Sequence, residues 1–209
     1  VAAVKVSFDR PYLTTGNPMW WWDMYTDSPG VMDWEIQLYR YLEREGVDIS
    51  YQTNVDTVAN PASFLNRKTL IDAGHDEYWS KEEMDAWYAA RDSGVNLMFF
   101  GGSLAYWQSR YEDSSRTLVE YRAPGTDPIV DQTKASYRFA YLGRPECQLI
   151  GTGNQEGVAT DHRNYTVVSA ALSDPWMAGT GFVAGDTLLD GVGYEWQGIG
   201  TGCISQPIT

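Results

Sequence analysis

The chemically richest stretch of the chain is residues 74–80, with the sequence Gly-His-Asp-Glu-Tyr-Trp-Ser. It holds one of only two histidines in 209 residues. An apolar run at 69–73 predicts a strand before it, and helical spacing with a Ser-x-x-Glu capping box at Ser80 and Glu83 predicts a helix after it. Ligands bind at the carboxyl ends of strands in open α/β sheets, so this stretch is predicted to be the functional loop.

Two side chains of this stretch have the spacing of a metal-binding pair. His75 and Glu77 are two residues apart, and such side chains point to the same side of an extended chain. With a phenolate such as Tyr12 and a second carboxylate such as Glu195, they form a set that suits a hard ion such as ferric iron. A His-x-Glu pair is more often a hydrogen-bonding or capping pair, so spacing alone leaves both interpretations open.

A second motif, residues 100–105 (Phe-Gly-Gly-Ser-Leu-Ala), resembles a nucleophile elbow, in which a strand, a glycine turn, a serine and a helix follow one another. It makes a serine hydrolase that uses Ser103 one hypothesis. The base is the difficulty, because His75 lies upstream and His162 has its aspartate directly adjacent. The alternative, that Ser103 caps a helix beginning at Leu104, is favoured.

The long loop at 13–29 carries three adjacent tryptophans, at positions 20, 21 and 22. Such a cluster is typical of a lid, of an interface or of a surface that stacks on sugar rings, and core packing is the plain alternative. It motivates a second hypothesis, a non-catalytic or carbohydrate-binding module of a larger exported protein. Cys147 and Cys203 would pair in such a protein, or remain two buried thiols in a reducing compartment.

Alternating patterns predict the architecture of the first half. Strands are expected at 1–8, 47–53, 69–73 and 95–100, and helices at 31–45, 80–92 and 104–111. This alternation predicts a parallel sheet with helices on both faces over residues 1–125, followed by a loop-rich, β-containing extension at 126–209 packed on that core. The strand ends would gather Tyr12, His75, Glu77 and Ser103 on one edge.

Composition excludes some partners. The formal net charge is −13 and the pI about 4.4, and an acidic surface repels phosphate backbones, so nucleic acid is not an expected partner. No run approaches the roughly 20 apolar residues of a membrane helix, and no signal-peptide pattern begins the chain. The chain is interpreted as a fragment of a longer cytoplasmic or secreted protein, because it starts at Val1 and ends abruptly.

Several motifs occur together and resemble the C-terminal domain of the large (beta) subunit of N,N-dimethylformamidase. The resemblance covers roughly residues 1–125 well and the rest weakly. It implies a flavodoxin-like fold, similar to class I glutamine amidotransferases without their cysteine nucleophile. It also implies hydrolysis of a small linear amide at a mononuclear iron held by tyrosines and a glutamate. The motifs are residues 6–12, 34–35, 42–43, 74–80, 94–97, 105–107 and 193–196.

Carried over by motif, the resemblance implies a role for individual residues. Glu77 would be the glutamate ligand of the iron, Tyr12 one tyrosine ligand, His75 an acid–base or orienting group, and Glu195 a second carboxylate. The other tyrosine ligand is expected before residue 1, so this chain alone would not complete the iron site. Ser103 stands where an amide side chain is expected, which puts formamide specificity in doubt. The expected partners are a small amide and a homo-oligomer, further domains or a further subunit.

Overall fold

The computed structural model describes residues 4–10, 35–123, 125–153 and 163–192. Within these ranges the strands form three separate small sheets. The α-helices are α1 (Ile36–Arg44), α2 (Asn54–Ala59), α3 (Lys81–Asp92) and α4 (Cys147–Ile150), and 3-10 helices cover Pro61–Asn66, Gln132–Lys134, Phe139–Leu142, Ser169–Ser173 and Pro175–Met177. The strands are β1 (Lys5–Ser7), β2 (Thr69–Gly74), β3 (Tyr78–Ser80), β4 (Asn96–Gly101), β5 (Trp107–Glu112), β6 (Thr117–Val119), β7 (Arg163–Thr166) and β8 (Thr187–Val192).

The parallel pair of β2 and β4 positions the predicted functional loop. The strands are in register from Thr69 opposite Asn96 to Gly74 opposite Gly101. Their carboxyl ends therefore lie at the same edge, and the loop of residues 75–77 leaves from it. The strands predicted at 69–73 and 95–100 are confirmed, although only β2 carries buried side chains and β4 is half-buried to exposed.

The prediction of a flavodoxin-like parallel sheet is wrong. The largest sheet has four strands in the order β1-β6-β5-β3, and only β3 and β5 pair in parallel within it. Strand β1 pairs antiparallel with β6, which also pairs antiparallel with β5. The N-terminal strand thus joins a mixed sheet rather than the parallel pair, and the described residues form no central parallel sheet.

Local chemistry explains two of the errors. Thr53 ends the predicted second strand by capping α2, where Thr53 and Asp56 form a reciprocal capping box. Residues 47–53 consequently pair with no strand in the described part of the chain. The helix predicted at 104–111 is replaced by β5, because Ser103 and Ala105 have φ angles of 55° and 51°, which right-handed helices exclude.

Helix α3 connects the loop to the hydrophobic core. Its predicted N-cap is confirmed, since the Ser80 hydroxyl accepts a hydrogen bond from the Glu83 N–H at 3.1 Å. The Trp79 and Trp87 rings stack with centroids 5.3 Å apart, and Met84 is fully buried between the same elements. Because only the N-cap Ser80 separates Trp79 from α3, core packing holds the loop from its C-terminal side.

The chain after residue 125 contributes to the same core. Phe139 and Leu149 belong to the hydrophobic cluster around Trp79, and the buried Gln108 amide donates to the carbonyls of Thr133 and Ala135 at 2.9 Å each. The division at 125 and 126 remains a prediction. Among its described residues, the one pair of strands is β7 and β8, which run antiparallel.

Cys147 is disulfide-bonded, and Cys203, the second cysteine of the sequence, lies outside the described residues.

None of the helices described has the length and apolar character that crossing a bilayer requires.

Replacing Gly101 by alanine tests the close approach of β2 and β4. A Cβ atom on Gly101 would overlap the Gly74 carbonyl oxygen and would lie 3.0 Å from a Leu104 methyl group. We expect Gly101→Ala to lower the free energy of unfolding by about 3 kcal/mol, because backbone on the facing strand cannot move aside.

The control is Gly46→Ala, whose Cβ would meet no atom within 4 Å and whose cost comes only from its φ of 73°. Chemical denaturation should show a loss of about 1 kcal/mol for this variant. Equal losses in the two variants would contradict the steric account.

Candidate functional site

The loop of residues 75–77 is fixed by backbone hydrogen bonds to the chain entering β5. The Ala105 N–H donates to the Asp76 carbonyl at 3.0 Å, and the N–H groups of Tyr106 and Trp107 both donate to the Glu77 carbonyl, at 3.1 and 2.9 Å. These contacts connect the carboxyl end of β2 to residues that follow β4. The loop therefore has a defined geometry independent of any ligand.

The structure brings the predicted pair together. His75 Nε2 lies 3.5 Å from Glu77 Oε2, and the Trp107 indole N–H donates to Glu77 Oε1 at 3.1 Å. The two side chains retain 29% and 19% exposure, so the carboxylate is sheltered and still reachable. Burial acts to raise the pKa of Glu77, but hydrogen bonding and charge from His75, with Tyr78 and Arg122, lower it below its usual value. Glu77 is therefore ionised at neutral pH.

Asp76 is held from a different helix. The Asn54 side-chain amide donates to both Asp76 carboxylate oxygens, at 2.9 and 3.0 Å. Burial raises the pKa of Asp76 to about 6, against the hydrogen bonds from Asn54 and the charge of His75, which lower it. Asn54, at the start of α2, thus anchors the middle of the loop, a role that sequence reasoning missed.

Two further carboxyl groups lie behind the loop. Asp72 of β2 is 7% exposed and Glu83 of α3 is 2% exposed, and Asp72 Oδ2 and Glu83 Oε2 have no hydrogen-bond partner among the residues that the structure describes. Burial, with the charge of Asp76, raises the pKa of both well above the ordinary value. The sequence analysis assigned Glu83 only to a capping box with Ser80, and the available signal for a buried carboxyl was the aspartate within the apolar run of β2.

Ser103 lies in a turn rather than at the start of a helix. Its side chain is buried, its φ is 55°, and the chain continues through a turn into β5. The helix that both a nucleophile elbow and a helix cap require is not formed. The buried position also keeps the hydroxyl away from solvent, so the geometry gives a serine hydrolase no support.

Other predicted residues lie outside the described part of the chain. These are Tyr12, the three tryptophans, His162 and Glu195. Within the described residues no group of three or more histidine, cysteine, aspartate or glutamate side chains could hold a metal ion. The donor chemistry of Glu77 does fit a hard ion such as ferric iron, since it is an ionised oxygen donor that remains partly exposed.

Replacing Glu83 by glutamine tests the buried carboxyl groups. A carboxyl whose pKa is raised by folding contributes stability that is complete below its unfolded pKa, near 4, and is lost as the pH rises through its folded pKa. Glu83 falls in this class. We expect Glu83→Gln to gain about 1 to 3 kcal/mol over wild type at pH 8, and to lose that advantage at pH 4.

The matched control is Glu82→Gln, which removes a more exposed carboxylate from the same first turn of α3. Thermal melts of the three proteins from pH 4 to pH 8 provide the measurement. A constant difference between Glu83→Gln and wild type across this range would show that Glu83 does not hold a proton.

Comparison with known proteins identifies the family of the chain. A search of curated proteins found no match to the chain. A family model described as "N,N-dimethylformamidase beta subunit-like, C-terminal" matches residues 1–208, which include the whole 75–77 loop and both parts of the chain. The chain therefore belongs to the family of C-terminal domains of N,N-dimethylformamidase beta subunit-like proteins.

Proposed function

We propose that this domain forms part of a metal-dependent hydrolase that cleaves the C–N bond of a small linear amide. The observation that carries the proposal is the ionised carboxylate of Glu77, sheltered beside His75 on a loop held by backbone hydrogen bonds. Membership of a family named after an amide hydrolase supports it. Acidic loops with a histidine are common in proteins, so the proposal rests on the loop and the family together.

The residues would divide the chemistry between binding a metal and moving a proton. Glu77 and Tyr12 would hold ferric iron, and a bound iron would act as a Lewis acid towards the amide carbonyl. His75 would move a proton between the attacking water and the leaving nitrogen. The Trp107 indole N–H holds one oxygen of Glu77, which fixes how the carboxylate is presented. Glu195 would be a second carboxylate of the pocket.

The substrate of this chain would differ from dimethylformamide. Ser103 is shorter than an amide side chain and has no NH2 group to donate, and its side chain is buried. The site would also need residues beyond this domain, because the other tyrosine ligand is expected before residue 1. The family name describes one subunit of an enzyme, which supports a further subunit or a homo-oligomer as partner.

Metal analysis tests the ligand role of Glu77. We expect the iron content of the full-length protein to fall at least about tenfold in Glu77→Ala, since a removed ligand costs more than a removed supporting hydrogen bond. The control is Glu120→Gln, which changes another half-buried carboxyl close by in β6's C-terminal flank. Iron that persists unchanged in Glu77→Ala would overturn the assignment.

The proton-transfer role of His75 makes a separate prediction. We expect His75→Gln to lower kcat for amide hydrolysis by about 10²- to 10⁴-fold while the iron content stays at the wild-type level. The pH–rate profile should also lose one limb, which a purely structural role would leave in place. Loss of iron together with activity would instead make His75 part of the metal site.

A further inference from the structure

An arginine, Arg122, lies beside the candidate site, and its charge helps to lower the pKa of Glu77. The Arg122 guanidinium carbon is 5.1 Å from the centroid of the Tyr78 ring and 5.3 Å from that of Trp107, and the guanidinium donates a hydrogen bond to the Tyr78 hydroxyl. Tyr78 follows Glu77 in the chain, and Trp107 donates to the Glu77 carboxylate. Arg122 therefore lies next to two residues that flank the Glu77 carboxylate.

The ion pairs of the described residues distinguish Arg122 from two other arginines in or next to β5 and β6. Arg110 pairs with Asp127, and Arg116 pairs with Asp9. Arg122 makes no ion pair with any residue that the structure describes, in a protein with a net charge of −13. Its side chain is exposed, so the guanidinium is accessible to a ligand.

The backbone holds Arg122 in an unusual conformation. Its φ is 59°, in the left-handed region that residues with a Cβ seldom occupy, and its N–H donates to Glu120 Oε1 at 3.2 Å. Backbone of this kind is found at ligand clamps, where the surrounding structure holds it in place. The two aromatic rings then fix the direction of the side chain that leaves this backbone.

A cavity of about 390 Å³ is lined by Ala123, the residue that follows Arg122 in the chain. Its wall also includes Tyr137, whose ring lies 6.1 Å from that of Trp107. Tyr137 and Tyr141 stack with their centroids 5.3 Å apart on the same wall. A small ligand bound at Arg122 thus has space and aromatic surface beside it.

We propose that Arg122 binds a carboxylate of the substrate, which makes the substrate class a small amide that carries an acidic group. The inference rests on the proposed function, because it places the scissile amide at Glu77 and His75. A guanidinium presents parallel N–H donors that match a carboxylate, and stacking on Tyr78 and Trp107 keeps its plane fixed.

Two probes that differ only in charge test the proposal. N-formylglycine carries an amide and a carboxylate, and N-formylglycinamide is its neutral counterpart. We expect the full-length wild-type protein to bind the acid at least about tenfold more tightly than the neutral probe in calorimetric titrations at low salt. The preference should shrink with added salt, because it depends on charge.

Arg122→Gln should remove the preference and leave binding of the neutral probe unchanged, and Arg122→Lys should keep part of it. The control, Arg116→Gln, removes an arginine from the turn before β6 and should behave as wild type. Equal binding of the two probes by wild type, or no binding of either, overturns the proposal. A loss of both probes in Arg122→Gln, with Arg122→Lys at wild-type level for both, assigns Arg122 a structural role and also overturns it.

The two proposals fail in different ways. Hydrolysis of both probes without a preference for the acid would leave the amide hydrolase standing and remove the role of Arg122. A charge preference that Arg122→Gln abolishes, with no hydrolysis of either probe, would support the anion site and remove the hydrolase.

Discussion

Three backbone hydrogen bonds between residues 105–107 and the carbonyls of Asp76 and Glu77 are the interaction on which the site depends. They join the carboxyl end of β2 to the chain that follows β4, and they are possible because those strands pair in parallel and end together. Side chains that are distant in sequence, such as Glu77 and Trp107, meet because of them. The chemistry attributed to this loop is therefore a property of the strand pair as well as of the loop.

The elements next to the site could be predicted because their signals are local. Strands β2 and β4 are short apolar runs, and α3 begins with a serine cap, so each follows from a few neighbouring residues. The sheet order could not be predicted in the same way, since it depends on which strand edges meet. The alternation of strand and helix suggested one parallel sheet, but β1 pairs with β6, more than a hundred residues later.

The candidate site also has a part that local sequence predicts and a part that depends on tertiary packing. The pairing of His75 with Glu77 follows from their spacing, whereas the Asn54 contact joins residues 22 positions apart and depends on how α2 packs. The burial of Glu83 could not be predicted either, because it depends on what covers that face of α3. Asp76 and Glu77 are adjacent in the loop, and the pKa of Asp76 is raised to about 6 while that of Glu77 is lowered. Opposite environments for neighbouring acids are typical of sites that handle protons.

The bond between Asn54 and Asp76 has a consequence for engineering. A designer who transplanted residues 74–80 onto another scaffold would carry over His75 and Glu77. The Asn54 amide, which orients Asp76 between them, would be left behind. The smallest portable unit extends from the start of α2 to β5, about sixty residues. Recombination between relatives would meet the same boundary, so crossovers inside that unit should be tolerated less well than crossovers outside it.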